Sequence, residues 1–210
     1  ALSLRSALLW QLDQLVLDAP ELDVRRTPDG LWQVGGMTWG PTLQADSAAA
    51  DWLFSQREVI VRAGVLRWHV ADVEGALAPS SPPVVLKDMD VLIRNSSRAH
   101  SLRVDATPPS AWGERFVLMG QFKRKVLSTR AGRFADWSGP SYAFFPQLDL
   151  AAMRTALPVE WTNDWGQLQG QGTLRLWADV DKGQWQGATA DVSLVGLQAR
   201  LSDQGLPLAF

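Results

Sequence analysis

Apolar and polar residues alternate most clearly in two neighbouring runs. In residues 84–94 the odd positions are apolar except Lys87, whereas the even positions include Asp88 and Asp90. After a turn signal, residues 101–107 repeat the alternation. A period of two residues predicts β-strands with one apolar face and one polar face. The two apolar faces can pair in one hairpin.

Similar runs bounded by turn residues predict a mainly β fold, an extended, twisted antiparallel sheet with two short covering helices. One helix is predicted at 48–54 with Ser47 as N-cap, and the other at 150–157 between the N-cap Asp149 and Pro158. The further strands are predicted at 10–17, 21–26, 31–34, 58–62, 64–71, 115–122, 139–145, 170–180 and 184–201, the last interrupted at Gly196.

Composition limits the classes of function. The 210 residues are 46% hydrophobic and 20% charged, which is typical of a folded protein with a substantial core. Twenty basic and 22 acidic residues give a formal net charge of -2, so we expect no nucleic acid partner. The absence of cysteine excludes disulfides and thiolate metal sites.

The chain also carries no apolar run of about 18 residues, the length needed to cross a bilayer. It begins at Ala1 and runs at once into several leucines. We therefore expect residues 1–210 to be a single segment of a longer protein, with a sub-boundary near 123–138 and any membrane anchor outside the segment.

Candidate catalytic and metal-binding groups are few. His69 falls at an alternating strand position and His100 in a predicted turn, so neither indicates a catalytic triad. Asp88 and Asp90 lie at alternate positions of a polar strand face, which favours solvated carboxylates over a metal site. Residues 179–183 begin like a calcium loop but lack its later ligands. We predict no catalytic residues, no metal and no cofactor.

Eleven tryptophans accompany a single tyrosine. Tryptophan can stack on sugars, anchor at a membrane interface or fill a core. Trp68 shares the apolar parity of its strand, whereas Trp177 shares the parity of Arg175 and Asp179 and is expected to be partly exposed. A carbohydrate-binding β domain and a structural scaffold without ligand both remain alternatives.

The apolar parity of the predicted strands defines one candidate face. Its members are Leu66, Trp68, Val70, Met89, Val91, Ile93, Leu102, Val104, Phe116, Leu118, Phe122, Leu174, Leu176 and Val180. Alternation alone fits two arrangements of these residues equally well, the core of a closed sandwich and the lining of an open groove.

Several segments, in their order and spacing, resemble the amino-terminal region of the YhdP branch of the AsmA-like envelope proteins. These segments are 51–62, 64–68, 83–95 and 100–109, continued by Trp112–Gly113, Arg115–Phe116, 120–122, 136–139 and 177–183. The resemblance covers most of the chain, although the membrane helix and most of the family's length lie outside it.

This resemblance implies a periplasmic protein of Gram-negative bacteria, anchored in the inner membrane through a segment absent from this chain. Its strands would curl into an open, apolar β groove along which phospholipid passes toward the outer membrane. The candidate face would then be the lipid-groove lining, and outer-membrane or other envelope proteins would be further partners. The family supplies no catalytic residues, so no enzyme activity is expected.

Overall fold

The structure is a computed structural model that describes residues 11–26, 32–34, 37–39, 48–69, 83–126, 128–156 and 169–198. The strands are β1 Leu15–Asp18, β2 Glu21–Arg26, β3 Trp32–Val34, β4 Met37–Trp39, β5 Glu58–His69, β6 Val84–Asn95, β7 Ala99–Thr107, β8 Phe116–Arg124, β9 Trp137–Asp149, β10 Gln169–Asp181 and β11 Gln184–Gln198. The helices are α1 Ala48–Ser55 and α2 Leu150–Ala156, with a short 3-10 turn at Phe134–Asp136.

All of these strands belong to one open sheet, which confirms the mainly β fold with two short helices. From β5 to β11 each strand pairs antiparallel with the next along the chain. Strands β8 and β9 pair directly across the predicted sub-boundary near 123–138, so the sheet continues through that region.

The amino-terminal edge differs from the antiparallel prediction. Strand β1 runs parallel to the first half of β5 and β2 parallel to its second half, so the two act as one strand broken at Ala19 and Pro20. The chain passes through β3, β4 and α1 before it returns as β5, and such a crossover permits parallel pairing. Pro20 fits a break because proline cannot donate a ladder hydrogen bond.

Strand β5 is a single strand, whereas the sequence predicted two runs separated at Ala63. Ala63 has a left-handed φ of 50° and Asp88 on β6 has φ of 46°, and the register between β5 and β6 shifts beside them. The Ala63 N–H donates to Asp90 Oδ1 at 3.1 Å, and Arg115 Nη2 pairs with the same carboxylate at 2.7 Å. Bulges of this kind bend a strand, so β5 and β6 bend at the same level of the sheet.

Helix α1 and the segment 128–136 cover one end of the sheet. Phe54 and Trp137 meet edge to face, with ring centroids 4.7 Å apart, inside a buried cluster that includes Ile93. Asp51 of α1 fixes the segment, since it accepts hydrogen bonds from Arg130 Nε at 2.6 Å and from the backbone N–H of Gly132 at 2.8 Å. We call this region the covered end.

Helix α2 follows β9 directly and packs against β9 and β10 at the opposite end of the sheet. Asp149 caps it as predicted, because its Oδ1 accepts the backbone N–H of Ala152 at 2.9 Å. This hydrogen bond, with a second from Gln171, lowers the pKa of the Asp149 carboxyl. Residues 157 and 158, where the sequence predicted the helix to stop, lie outside the described part of the chain.

Candidate functional site

The ladder register sorts the side chains of the sheet into two faces, because directly opposed residues on neighbouring strands project to the same side. Val91 lies opposite Val104, and Val104 lies opposite Leu118. Leu118 in turn lies opposite Ala143, which pairs with Leu176. A row of apolar side chains therefore crosses five neighbouring strands without a polar residue. We call the side of the sheet that carries this row the apolar face.

The sequence-derived candidates are brought together on this face. Gly64 of β5 lies opposite Met89 of β6, and Ile93 lies opposite Leu102 of β7. The ring of Phe116 stacks on that of Phe145, with centroids 5.2 Å apart. The candidates on the apolar face are Leu66, Trp68, Met89, Val91, Ile93, Leu102, Val104, Phe116, Leu118, Phe122, Leu174, Leu176 and Val180. Val70 lies outside the described residues. That these side chains contact lipid stays a prediction.

The apolar face is closed at its ends and more open in its middle. Ile93, at the covered end, and Phe116, near the other end, are buried. Val104, Leu118 and Leu176, in the row between them, are only partly buried. Within the described residues the middle of the face thus lacks the second layer that would bury it completely.

The opposite face, which we call the polar face, carries charged pairs next to apolar residues such as Met119 and Phe144. Arg103 forms a two-pronged ion pair with Asp105, at 2.7 and 2.8 Å, and this pairing lowers the pKa of the Asp105 carboxyl. Arg175 likewise pairs with Asp191 at 3.0 Å. Trp177 lies on this side and is 44% exposed, in agreement with its sequence parity. The charged pairs between strands of the sheet therefore lie on the polar face, whereas the row from Val91 to Leu176 on the apolar face contains no charged residue.

His100 is buried at the covered end, in a strand and not in the predicted turn. Strand β7 begins at Ala99, which places His100 on the apolar parity, stacked on Trp137 with centroids 4.4 Å apart. Because the Asn95 amide N–H donates to Gln56 O, Asn95 Oδ1 is free to accept the Nδ1–H of His100 at 2.7 Å. Burial, with a smaller effect of Arg124, lowers the pKa of His100 to about 4, so the ring is neutral at pH 7.

The carboxylates considered for a metal have other partners. Asp90 pairs with Arg115, and Asp181 accepts a hydrogen bond from Ser138 Oγ at 2.7 Å. Residues 181–184 form the turn between β10 and β11, as the sequence indicated. Among the described residues, no group of three or more histidine or acidic side chains is arranged to hold a metal ion.

A comparison with protein families identifies the chain. The family model described as YhdP protein matches residues 1–210. The chain belongs to the YhdP family. This confirms the resemblance drawn from the sequence and makes the chain part of an AsmA-like envelope protein. No curated protein and no solved structure matches the chain. The part of this YhdP-family chain that the structure describes contains no helix long and apolar enough to cross a bilayer.

Two cavities flank the β6–β7 turn at the covered end of this YhdP-family sheet. The larger, of about 610 Å³, is lined by Arg94, Lys123 and His100 among others. The smaller, of about 480 Å³, lies beside α1 and includes Arg57 and Arg124 in its lining. Neither cavity followed from the alternation of the sequence, because each combines residues that are far apart in the chain.

Proposed function

We propose that this chain is a segment of a bridge-like lipid-transport protein of the periplasm. Its apolar face shields the acyl chains of phospholipid during passage between the inner and outer membranes. The observation that carries the proposal is the apolar row from Val91 to Leu176, which crosses neighbouring strands and stays partly exposed. Membership of an envelope-protein family supports it. Tethering to the inner membrane through a segment outside this chain belongs to the same proposal.

Hydrocarbon transfer explains why such a face is useful. Exposing an acyl chain of about sixteen carbons to water costs on the order of 13 kcal/mol, at roughly 0.8 kcal/mol per methylene. An apolar surface lowers that barrier without any bond chemistry. Strands β5 to β11 are neighbours in one sheet, and at about 4.8 Å per spacing they extend roughly 29 Å across. The charged pairs Arg103–Asp105 and Arg175–Asp191 hydrate the opposite side of the sheet.

Bound lipid and its position test the proposal. Native mass spectrometry of the chain after gentle extraction should detect phospholipid. A photoactivatable phospholipid should then label the middle of the apolar face, at Val104, Leu118 and Leu176. Labelling confined to polar-face residues such as Arg103, or no more labelling than an unrelated β protein shows, would contradict the proposal and favour a scaffold without ligand.

A second candidate is carbohydrate binding by the polar face. Trp177 is 44% exposed, and its ring lies 5.4 Å from that of Tyr142 on the neighbouring strand. Exposed aromatic rings are suitable platforms for sugars. Glycan-array binding that disappears with Trp177→Ala would support this function. Equal signals from the two proteins, or no signal from either, would reject it.

A further inference from the structure

We propose that the 480 Å³ cavity at the covered end binds a phosphate group between Arg57 and Arg124. The cavity size falls in the range of about 300–1,000 Å³ that is usual for small-molecule sites. The inference rests on the proposed function only for the idea that the phosphate belongs to a lipid headgroup. The phosphate site itself is argued from the residues that line the cavity.

Hydrogen bonds to backbone groups bring the two arginines to the β6–β7 turn. Arg57 immediately precedes β5, and its carbonyl accepts the N–H of Asn95 at 2.8 Å. Arg124 ends β8, and its Nη2 donates to the carbonyl of Ser97 in the turn at 2.6 Å. Both residues line the cavity, although 67 positions separate them in the sequence.

The guanidinium of Arg124 lacks an acceptor that its position requires. Its Nε is buried and has no hydrogen-bond partner among the residues that the structure describes. Buried donors are nearly always satisfied, so such an atom indicates a missing acceptor. Arg57 forms no ion pair with any residue that the structure describes. A phosphate supplies several charged oxygens, which arginine binds through paired N–H donors.

The remaining lining suits an anion with an organic substituent. Ser97 and Thr129 provide hydroxyl groups, whereas those of Ser55 and Ser96 already donate to the carbonyls of Trp52 and Ala99. Asp13 is the one acidic residue among the lining residues. Phe54 adds an apolar wall and also belongs to the buried cluster of the covered end. The site thus borders the end of the apolar face.

The larger cavity is a weaker candidate for the same ligand. Its Arg94 already forms an ion pair with Glu58, with Nε 2.8 Å from Oε1. This hydrogen bond, supported by one from Gln14, lowers the pKa of the Glu58 carboxyl, so the pair is retained at neutral pH. We therefore assign the phosphate to the smaller cavity.

Two probes distinguish a lipid-borne phosphate from a free one. The first is flotation of the 210-residue chain with phosphatidylcholine vesicles that contain or lack phosphatidylglycerol. The second is NMR titration with glycerol 3-phosphate. Binding to phosphatidylglycerol vesicles and to glycerol 3-phosphate supports a headgroup site. Binding to glycerol 3-phosphate alone supports the phosphate site and removes the lipid carrier. No binding to either probe overturns the inference.

Matched variants distinguish binding in the cavity from nonspecific electrostatic attraction of the phosphate to the protein surface. Arg57→Ala should weaken binding about tenfold, the effect of losing one charge-assisted contact of about 1.4 kcal/mol. Arg98→Ala removes the same charge from the β6–β7 turn outside the cavity lining and should change binding less than about twofold. Equal weakening by the two substitutions would overturn the site. Arg124→Lys keeps the charge and should still weaken binding, because it removes the Nε donor.

Failure of this site and failure of the proposed function give different results. If neither probe binds while the photoactivatable phospholipid still labels Val104 and Leu118, the phosphate site is wrong and the acyl-chain proposal stands. If glycerol 3-phosphate binds in an Arg57-dependent manner while the apolar face is never labelled, the phosphate site stands and the transport proposal fails.

Discussion

Replacing Val104 by aspartate places a carboxylate in the middle row of the apolar face. Val104 suits this test better than its ladder partner Val91, because Val91 also packs against the buried cluster of the covered end. Val104 is partly buried, so losing its burial costs about 1 kcal/mol. The lower strand propensity of aspartate adds up to about 1 kcal/mol. We expect a loss of about 2 kcal/mol if the new carboxylate reaches water.

That loss corresponds to a fall in Tm of about 4–8 °C for a chain of this size. A face sealed by a second layer would give a much larger effect, above about 4 kcal/mol, because the charge would be buried without a partner. We expect the substitution to weaken lipid contact more than it lowers stability. An acyl chain laid over the carboxylate removes its water at a cost of several kcal/mol, which lowers occupancy by more than about a hundredfold.

Thermal melts and photoactivatable phospholipid labelling of Val104→Asp measure the two effects on the same protein. Ser101→Asp is the matched control, because it adds the same carboxylate to the same strand on the polar face, opposite Gln121. The control should change stability by less than about 0.5 kcal/mol and leave labelling unchanged. A stably folded Val104→Asp protein with undiminished labelling would refute the assignment of this face to lipid.

Three further predictions concern the fold. Stability should fall as the pH drops from 6.5 towards 4. Folding lowers the pKa of His100, so in this pH window the imidazole takes up a proton only in the unfolded state. Thermal melts across this range should show a weaker pH dependence for His100→Phe. Gly139→Ala should lower stability by about 2 kcal/mol in denaturant titrations. Gly139 has a φ of 153°, and the added methyl group would clash with a carbonyl of the neighbouring strand. Gly187→Ala is the control and should be nearly neutral, because no atom lies within 4 Å of the added methyl group. Asp51→Ala should accelerate hydrogen exchange in residues 128–136, because it removes two hydrogen bonds that hold this segment on α1; unchanged exchange would show that aromatic packing alone holds the segment.

Local alternation was sufficient to predict most strands and to sort their side chains. Strand β6 has the predicted bounds, and the predicted pairing of its apolar face with β7 appears as Val91 opposite Val104 and Ile93 opposite Leu102. These features follow from sequence because the side-chain period of a strand is two, whatever its partner. The direction of pairing is not encoded in that period, which is why the parallel placement of β1 and β2 was missed. Strand β4, with three residues, is too short to show a period.

Contacts between distant parts of the chain could not be predicted from the same pattern. The hydrogen bond from Arg130 to Asp51 spans 79 positions, and no local feature of either residue indicates the other. The burial of His100 had a weak signal, because it shares the parity of Leu102 and Val104. The turn residues before it led to its assignment to the turn. Arg57 and Arg124 carried no signal, since an arginine at a strand end is usually a solvated charge.

The covered end and the open middle of the apolar face differ in how far their apolar side chains are buried within the protein. At the covered end, Phe54 and Trp137 bury each other, so this part of the fold is stabilised without any ligand. In the middle, Leu118 and Leu176 gain only part of that burial. A contiguous apolar surface of this kind usually marks a site of interaction, because leaving it in water forfeits about 25 cal/mol per Å². If lipid covers this row, bound lipid should raise the Tm of the wild-type chain and not that of Val104→Asp. A scaffold without ligand predicts no rise in either protein.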